Sequence, residues 1–203
     1  SQSGESLDTL MALRHAREKG QHIISLVNAG ESTIARESDV VLKTLAGPEI
    51  SVASTKAFTT QLTVLFCLAV DWAQKRNFLN EKKVLEIMGD LSRLPTAIAD
   101  VLANQNRWNA CAHELAGAKD VIYLGRGLNF PTALEGALKL KELSYIHAEG
   151  YAAGEMKHGP IALLEEGMPV VMVAPYDEWF DKTASNLKEA LARGGRVVLL
   201  SDK

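Results

Sequence analysis

Glu135, Lys139 and Glu142 stand at i, i+4 and i+7, a spacing that puts all three on one face of a helix. A carboxylate, an ammonium and a second carboxylate in a row can position sugar hydroxyls and move protons between carbons. The same stripe also serves as an ordinary ion-paired surface, worth roughly a few tenths of a kcal/mol per pair. Gly136 gives up helix propensity in the middle of this stretch, which points to close packing or the approach of a ligand. Downstream, His147-Ala148-Glu149-Gly150-Tyr151 and Gly154-Glu155-Met156-Lys157-His158-Gly159-Pro160 form a polar stretch. It has too little periodicity for a regular element and is long for a loop, which favours a functional role. His158, before a Gly-Pro turn, could act as acid or base near neutrality; a structural role fits it equally well. His147 and His158 are spaced wrongly for two ligands on one helix turn and no cysteine is near, so no metal site is expected.

Two further segments could bind rather than react. Ser1-Gln2-Ser3-Gly4-Glu5-Ser6 offers hydroxyls, an amide, a glycine and the free N–H groups of a helix start. That set suits a phosphate monoester, although a plain N-cap by Ser3 or Ser6 explains it too. No lysine is present, so it is not a nucleotide P-loop. Val52-Ala53-Ser54-Thr55-Lys56 opens a long helix that Ser54 could cap. Lys56 in the first turn opposes the helix dipole, and an anion or a neighbouring carboxylate would explain it.

Short apolar runs alternating with helical stretches must position these groups. Strands are expected at 23–27, 40–42, 121–124, 170–174 and 197–200, the fourth buried on both faces. Helices are expected from Leu7 to Gly20, with Leu7, Leu10 and Met11 on the apolar stripe and Leu13 and Ala16 widening it, and over 55–75, 132–143 and 181–193. Charged helical sequence punctuated by Pro95 fills the stretch to about 116. The alternation predicts α/β architecture with parallel sheets flanked by helices. A helix–Gly–strand unit at 187–202 echoes one at 12–29, which suggests two similar domains. The first copy lacks a leading strand. The chain is therefore expected to be a piece of a longer protein: 1–75 the back of a first domain, 76–118 a helical connection, 119–203 the front of a second.

The chain has 203 residues, 47% hydrophobic and 23% charged, with a net charge of -3. This is ordinary globular composition, without the basic footprint of a nucleic-acid binder. The longest apolar run, near 62–70, is shorter than the roughly eighteen residues a membrane helix needs. Two cysteines, Cys67 and Cys111, lack metal-ligand spacing. With no signal-peptide pattern, they point to a reducing, cytoplasmic setting.

Ser1–Ser6, Val-Ala-Ser-Thr-Lys-Ala-Phe-Thr-Thr-Gln at 52–61, Glu-Gly-Ala-Leu-Lys-Leu-Lys-Glu-Leu-Ser-Tyr-Ile-His-Ala-Glu at 135–149 and Gly-Glu-Met-Lys-His-Gly-Pro at 154–160 resemble the isomerase region of the glucosamine-6-phosphate synthase family. The resemblance runs the length of the chain. It implies two tandem sugar isomerase (SIS) domains of flavodoxin-like α/β type. It further implies that Ser1, Gln2, Ser3 and Ser6 hold a sugar phosphate, Ser6 standing where the family often has Thr. Val52 would contact the sugar through its backbone, with Ser54 nearby. Glu142 would move a proton between C1 and C2, with Lys139 one turn earlier beside the sugar hydroxyls. His158 would help open the sugar ring at the site of a neighbouring subunit, which implies a homodimer. The reaction would make glucosamine 6-phosphate from fructose 6-phosphate and glutamine-derived ammonia through an imine and enolamine, with no metal or organic cofactor. The family's glutaminase domain and its carboxy-terminal lysine tail have no counterpart here. Lys203 does not match that tail, and the piece alone is expected to be inactive. Two alternatives stand beside this reading: an SIS isomerase or deglycase without a glutaminase domain, and a sugar-phosphate-sensing regulator.

Overall fold

The computed structural model describes residues 1–202; Lys203 lies outside them. The chain divides into two compact units between Ile98 and Ala99. That point falls inside the expected helical connection.

The first unit is built on two parallel strands, β1 (Ile24–Val27) and β2 (Val40–Lys43), with Ile24 opposite Val40 and Val27 opposite Lys43. A parallel pair needs a crossover, and here it is short, carrying only the one-turn helix α2 (Thr33–Arg36). The preceding helix, α1 (Leu7–Glu18), turns Leu10 and Leu13 into a core with Val27, Ile34 and Ala35. Leu7 and Met11, expected on that stripe, are exposed instead. The core uses the i, i+3 pair only, because α1 meets little more than β1 and α2. The long α3 (Lys56–Lys75) follows, then α4 (Glu81–Ala103), which runs through Pro95 rather than stopping there. An internal proline forfeits one helix hydrogen bond, a loss that α4 accommodates without breaking.

The second unit opens with α5 (Gln105–Leu115) and holds an all-parallel sheet of four strands: β3 (Asp120–Gly125), β4 (His147–Ala152), β5 (Pro169–Val173) and β6 (Arg196–Leu200). Their spatial order is β4-β3-β5-β6. Helix α6 (Asn129–Ser144) connects β3 to β4, and α7 (Phe180–Ala192) connects β5 to β6. Alternate residues of β3 enter two different cores. Ile122 and Leu124 pack with Met156, Val170, Met172 and Ala190 on one face. Val121 and Tyr123 pack with Ala133, Ala137, Ala148 and Val171 on the other. Helices covering both faces explain why β3 and β5 read as continuous apolar runs.

Strand β4 corrects the expectation of an irregular 147–160 segment. Its period of two was hidden because the face under α6 carries only Ala148, Gly150 and Ala152. Larger residues do not fit: a Cβ on Gly150 would lie 2.9 Å from the Leu134 Cα. The 3₁₀ turns Ala153–His158 and Pro160–Leu163 complete the segment. Both copies of the expected repeat are a helix followed by a parallel strand, α1–β1 and α7–β6.

Candidate functional site

In the first unit the loop Ser1–Ser6 lies against the carboxyl end of β1. The Ser1 nitrogen donates to the Leu26 carbonyl at 3.0 Å. The Gln2 carbonyl accepts from Asn28 and Ala29 N–H at 3.1 and 3.2 Å, and the Gly4 carbonyl accepts from Ile34 N–H at 3.0 Å. Gly4 has φ +68°, and a Cβ there would lie 1.9 Å from the Ser32 hydroxyl oxygen. Glycine is required on both counts. Ser6 is the N-cap residue of α1, yet neither it nor Ser3 makes a side-chain capping bond to the helix. Instead the Ser1 and Ser6 hydroxyls pair at 3.0 Å, and the Ser3 hydroxyl accepts from Glu5 N–H at 3.2 Å. Three hydroxyls and the uncapped amides of a twelve-residue helix thus collect in one loop, beside the half-buried Gln2.

The second predicted binding loop sits beyond the end of β2. Asn28 ties the first loop to the stretch just after β2: its amide donates to the Gly47 carbonyl at 2.7 Å, and its Oδ1 accepts from Ala46 N–H at 2.9 Å and from the Thr44 hydroxyl at 3.2 Å. Ligands in open α/β sheets sit at this carboxyl edge. Val52 is 94% exposed, open to a ligand, and Ser54 is half-buried. Ser54 does not cap α3, since Thr55 is the N-cap residue. The capping acceptor is Glu49, which takes Ala57 N–H at 2.9 Å, Thr55 N–H at 3.3 Å and the Thr55 hydroxyl at 3.1 Å. The Ala57 N–H is the main cause that holds the Glu49 carboxyl below the ordinary range, with the Lys56 charge a smaller one. Lys56 therefore has the neighbouring carboxylate its position called for. Sequence reading missed Asn28 as more than a turn residue, and it missed Glu49 altogether. Only the Asn28-Ala29-Gly30 turn signal pointed toward this junction.

In the second unit α6 does put Glu135, Lys139 and Glu142 on one face. The Lys139 ammonium lies 2.6 Å from a Glu142 carboxylate oxygen and 3.5 Å from one of Glu135. Burial draws the Lys139 pKa down, but the Glu142 hydrogen bond and both carboxylate charges outweigh it and leave it raised. Gly136 is where the helix meets β3: a Cβ would lie 2.8 Å from the Tyr123 ring. Close packing, the first of the two explanations offered by the sequence, accounts for it.

His158 ends the first 3₁₀ turn and is exposed. Its ring has no hydrogen bond or ion pair among the described residues, and the second unit does not bond it to Lys139 or Glu142. His147 stands at the opposite, amino end of the sheet, held by Asp120 at 2.9 Å and facing Glu149 at 3.4 Å. With Tyr151 and Glu165 these residues line a hollow of about 290 Å³. A larger hollow of about 820 Å³ lies between α3 and α4, lined by Phe66, Leu91, Leu94 and Ile98. It is apolar and contains none of the predicted site residues. Among the described residues no group of three or more His, Cys, Asp or Glu is placed to hold a metal ion, and no helix is long and apolar enough to cross a membrane.

The arrangement offers a hydroxyl-rich loop at a helix start in one unit and a carboxylate–ammonium–carboxylate face in the other. Comparison with known proteins bears on both. The family model described as SIS domain matches residues 1–70 and 114–203. The glutamine–fructose-6-phosphate aminotransferase (isomerizing) of Bartonella henselae is 56% identical over all of this chain, which covers 33% of that protein. One from Bradyrhizobium diazoefficiens is 58% identical, again with 33% covered. The chain thus spans about a third of the length of these curated relatives. Among solved structures, the C-terminal domain of glucosamine-fructose-6-phosphate aminotransferase from Francisella tularensis superposes with a TM-score of 0.97 at 44% identity, over 100% of this chain and 58% of that one. Glucosamine-6-phosphate deaminase from Thermotoga maritima gives 0.75 at 25%, over 100% and 59%.

Proposed function

The chain belongs to the SIS domain family, and from that premise we propose that it carries the sugar-isomerising centre of a glutamine–fructose-6-phosphate aminotransferase. Ser1, Gln2, Ser3 and Ser6 hold the phosphate of fructose 6-phosphate, and the Val52 backbone and Ser54 contact the sugar. Ammonia released from glutamine by a glutaminase domain adds at C2, and loss of water leaves an imine. Glu142 takes a proton from C1 to give the enolamine and returns it to C2, while the C1 hydroxyl becomes the aldehyde of glucosamine 6-phosphate. Such positioned acid–base help is worth about 10²–10⁴-fold. Lys139 stands beside the sugar hydroxyls, and His158 acts in ring opening at the partner subunit's site, in a cytoplasmic homodimer. Residues 1–75 and 119–203 then belong to the first and second of two tandem SIS domains, joined by 76–118. The chemistry needs no metal or organic cofactor.

The observation that carries this reading is the loop Ser1–Ser6, whose hydroxyls are not consumed in capping α1. Soaking crystals with fructose 6-phosphate tests it: phosphate density over Ser1–Ser6 is expected, and density elsewhere with the loop empty sinks the assignment. The likeness to a glucosamine-6-phosphate deaminase favours a second reading, a deaminating SIS enzyme without a glutaminase. Release of ammonia from glucosamine 6-phosphate, with no synthesis from glutamine, would select it.

A further inference from the structure

Glu5 belongs to the loop Ser1–Ser6, but its carboxylate bonds none of the loop hydroxyls. Its Oε1 accepts from the N–H of Thr33 at 2.7 Å, across 28 residues of chain. Thr33 is the first residue of α2, and the N–H of the next residue, Ile34, bonds the Gly4 carbonyl at 3.0 Å. Two consecutive amides of α2 therefore grip two consecutive residues of the loop. On the other side, the Glu5 N–H donates to the Ser3 hydroxyl at 3.2 Å, so the placement of Glu5 also sets the direction of Ser3. The Thr33 N–H is the main cause that holds the Glu5 carboxyl below the ordinary range, so the group is a full anion at neutral pH. An anion free to move inside a phosphate-holding loop would repel the phosphate.

We infer that Glu5 is a positioning residue for the sugar phosphate, an inference that rests on reading Ser1–Ser6 as the phosphate loop. Its carboxylate, engaged by Thr33, ties the loop to α2, steadies the backbone N–H that orients Ser3 and keeps its own negative charge away from the bound dianion. Gly4 makes this possible, because only a residue without Cβ can pass so close to Ser32. Two substitutions break the tie from opposite ends. Glu5→Ala removes the acceptor. Thr33→Pro removes the donor and leaves Glu5 in place; proline suits the first position of a helix, and Ser32 before it is already extended with ψ 166°.

In the full-length enzyme of our proposal, assayed with fructose 6-phosphate, each variant is expected to raise KM about tenfold, the low end for a hydrogen bond to a charged group. The kcat should stay within about twofold, since no reacting atom is touched. Glu5→Gln, which keeps an acceptor of the same length, should restore part of the loss. Ser3→Ala is run in parallel. An unchanged KM in Glu5→Ala and Thr33→Pro beside a raised KM in Ser3→Ala overturns the role of Glu5 alone. An unchanged KM in all three overturns the phosphate loop itself. A fall in kcat at constant KM also refutes positioning.

Discussion

Replacing Gly4 by alanine should damage the first unit in two separable ways. The backbone there has φ +68°, a conformation that costs an L-residue about 1–2 kcal/mol. The new methyl would also lie 1.9 Å from the Ser32 oxygen and 2.4 Å from its Cβ. Rotating the hydroxyl relieves the first contact but not the second, because the Ser32 Cβ is fixed to the backbone of a residue only 5% exposed. Overpacking of this kind costs about 1–3 kcal/mol. The two terms together give about 2–5 kcal/mol for Gly4→Ala. Ser32→Gly removes the obstacle, and glycine at an N-cap costs only about a few tenths of a kcal/mol. The double variant should therefore recover the steric share and keep the conformational one, ending about 1–2 kcal/mol below the parent. Urea-dependent hydrogen exchange at the β1 amides reads the unit that contains the change, without assuming that both units unfold together. A loss below about 1 kcal/mol in Gly4→Ala, or no recovery in the double variant, refutes the reasoning.

Other consequences are open to direct measurement. In the full-length enzyme of our proposal, Glu142→Gln should lower isomerisation by about 10²–10⁴-fold while fructose 6-phosphate still binds, as calorimetry can establish. Lys139→Met removes the cation between two carboxylates; because all three side chains are 22–34% exposed, unfolding stability should change by less than about 1 kcal/mol while activity falls. Met172→Ala opens a cavity in a fully buried position of the second unit and should cost about 2–5 kcal/mol by denaturant unfolding. Glu49 has a depressed pKa, so its hold on α3 is complete above the ordinary carboxylate range and is lost as pH falls through its lower folded value. The protection factors of the Thr55 and Ala57 amides should fall as pH drops below the ordinary carboxylate range, and Glu49→Gln should remove that pH dependence.

Much of the architecture was legible because local periodicity encodes local structure. The apolar runs of β3, β5 and β6 and the helical face carrying Glu135, Lys139 and Glu142 needed no tertiary information. Strand β4 was not legible, because its inner face is made small by the approach of α6, and small residues leave no hydrophobic alternation. The buried stripe of α1 was read too wide: Leu10 and Leu13 are buried, but Leu7 and Met11, equally apolar, stay exposed.

The candidate site divides in the same way. Residue types and spacing alone determined that Ser1–Ser6 could hold an anion and that α6 could carry a proton-moving carboxylate beside an ammonium. Tertiary structure decided which groups are free to do so. The hydroxyls of Ser3 and Ser6 were equally suited to capping α1, and Ser54 to capping α3; in the fold Ser3 and Ser6 bond within their loop, and Glu49 takes the cap of α3. The anchors of the loop, Asn28, Thr33 and Ile34, are remote from it in sequence and adjacent only because the chain turns from β1 through α2 to β2. Hydrogen bonds that depend on such a crossover leave no periodic trace along the chain, so they can be read only once the strands are paired.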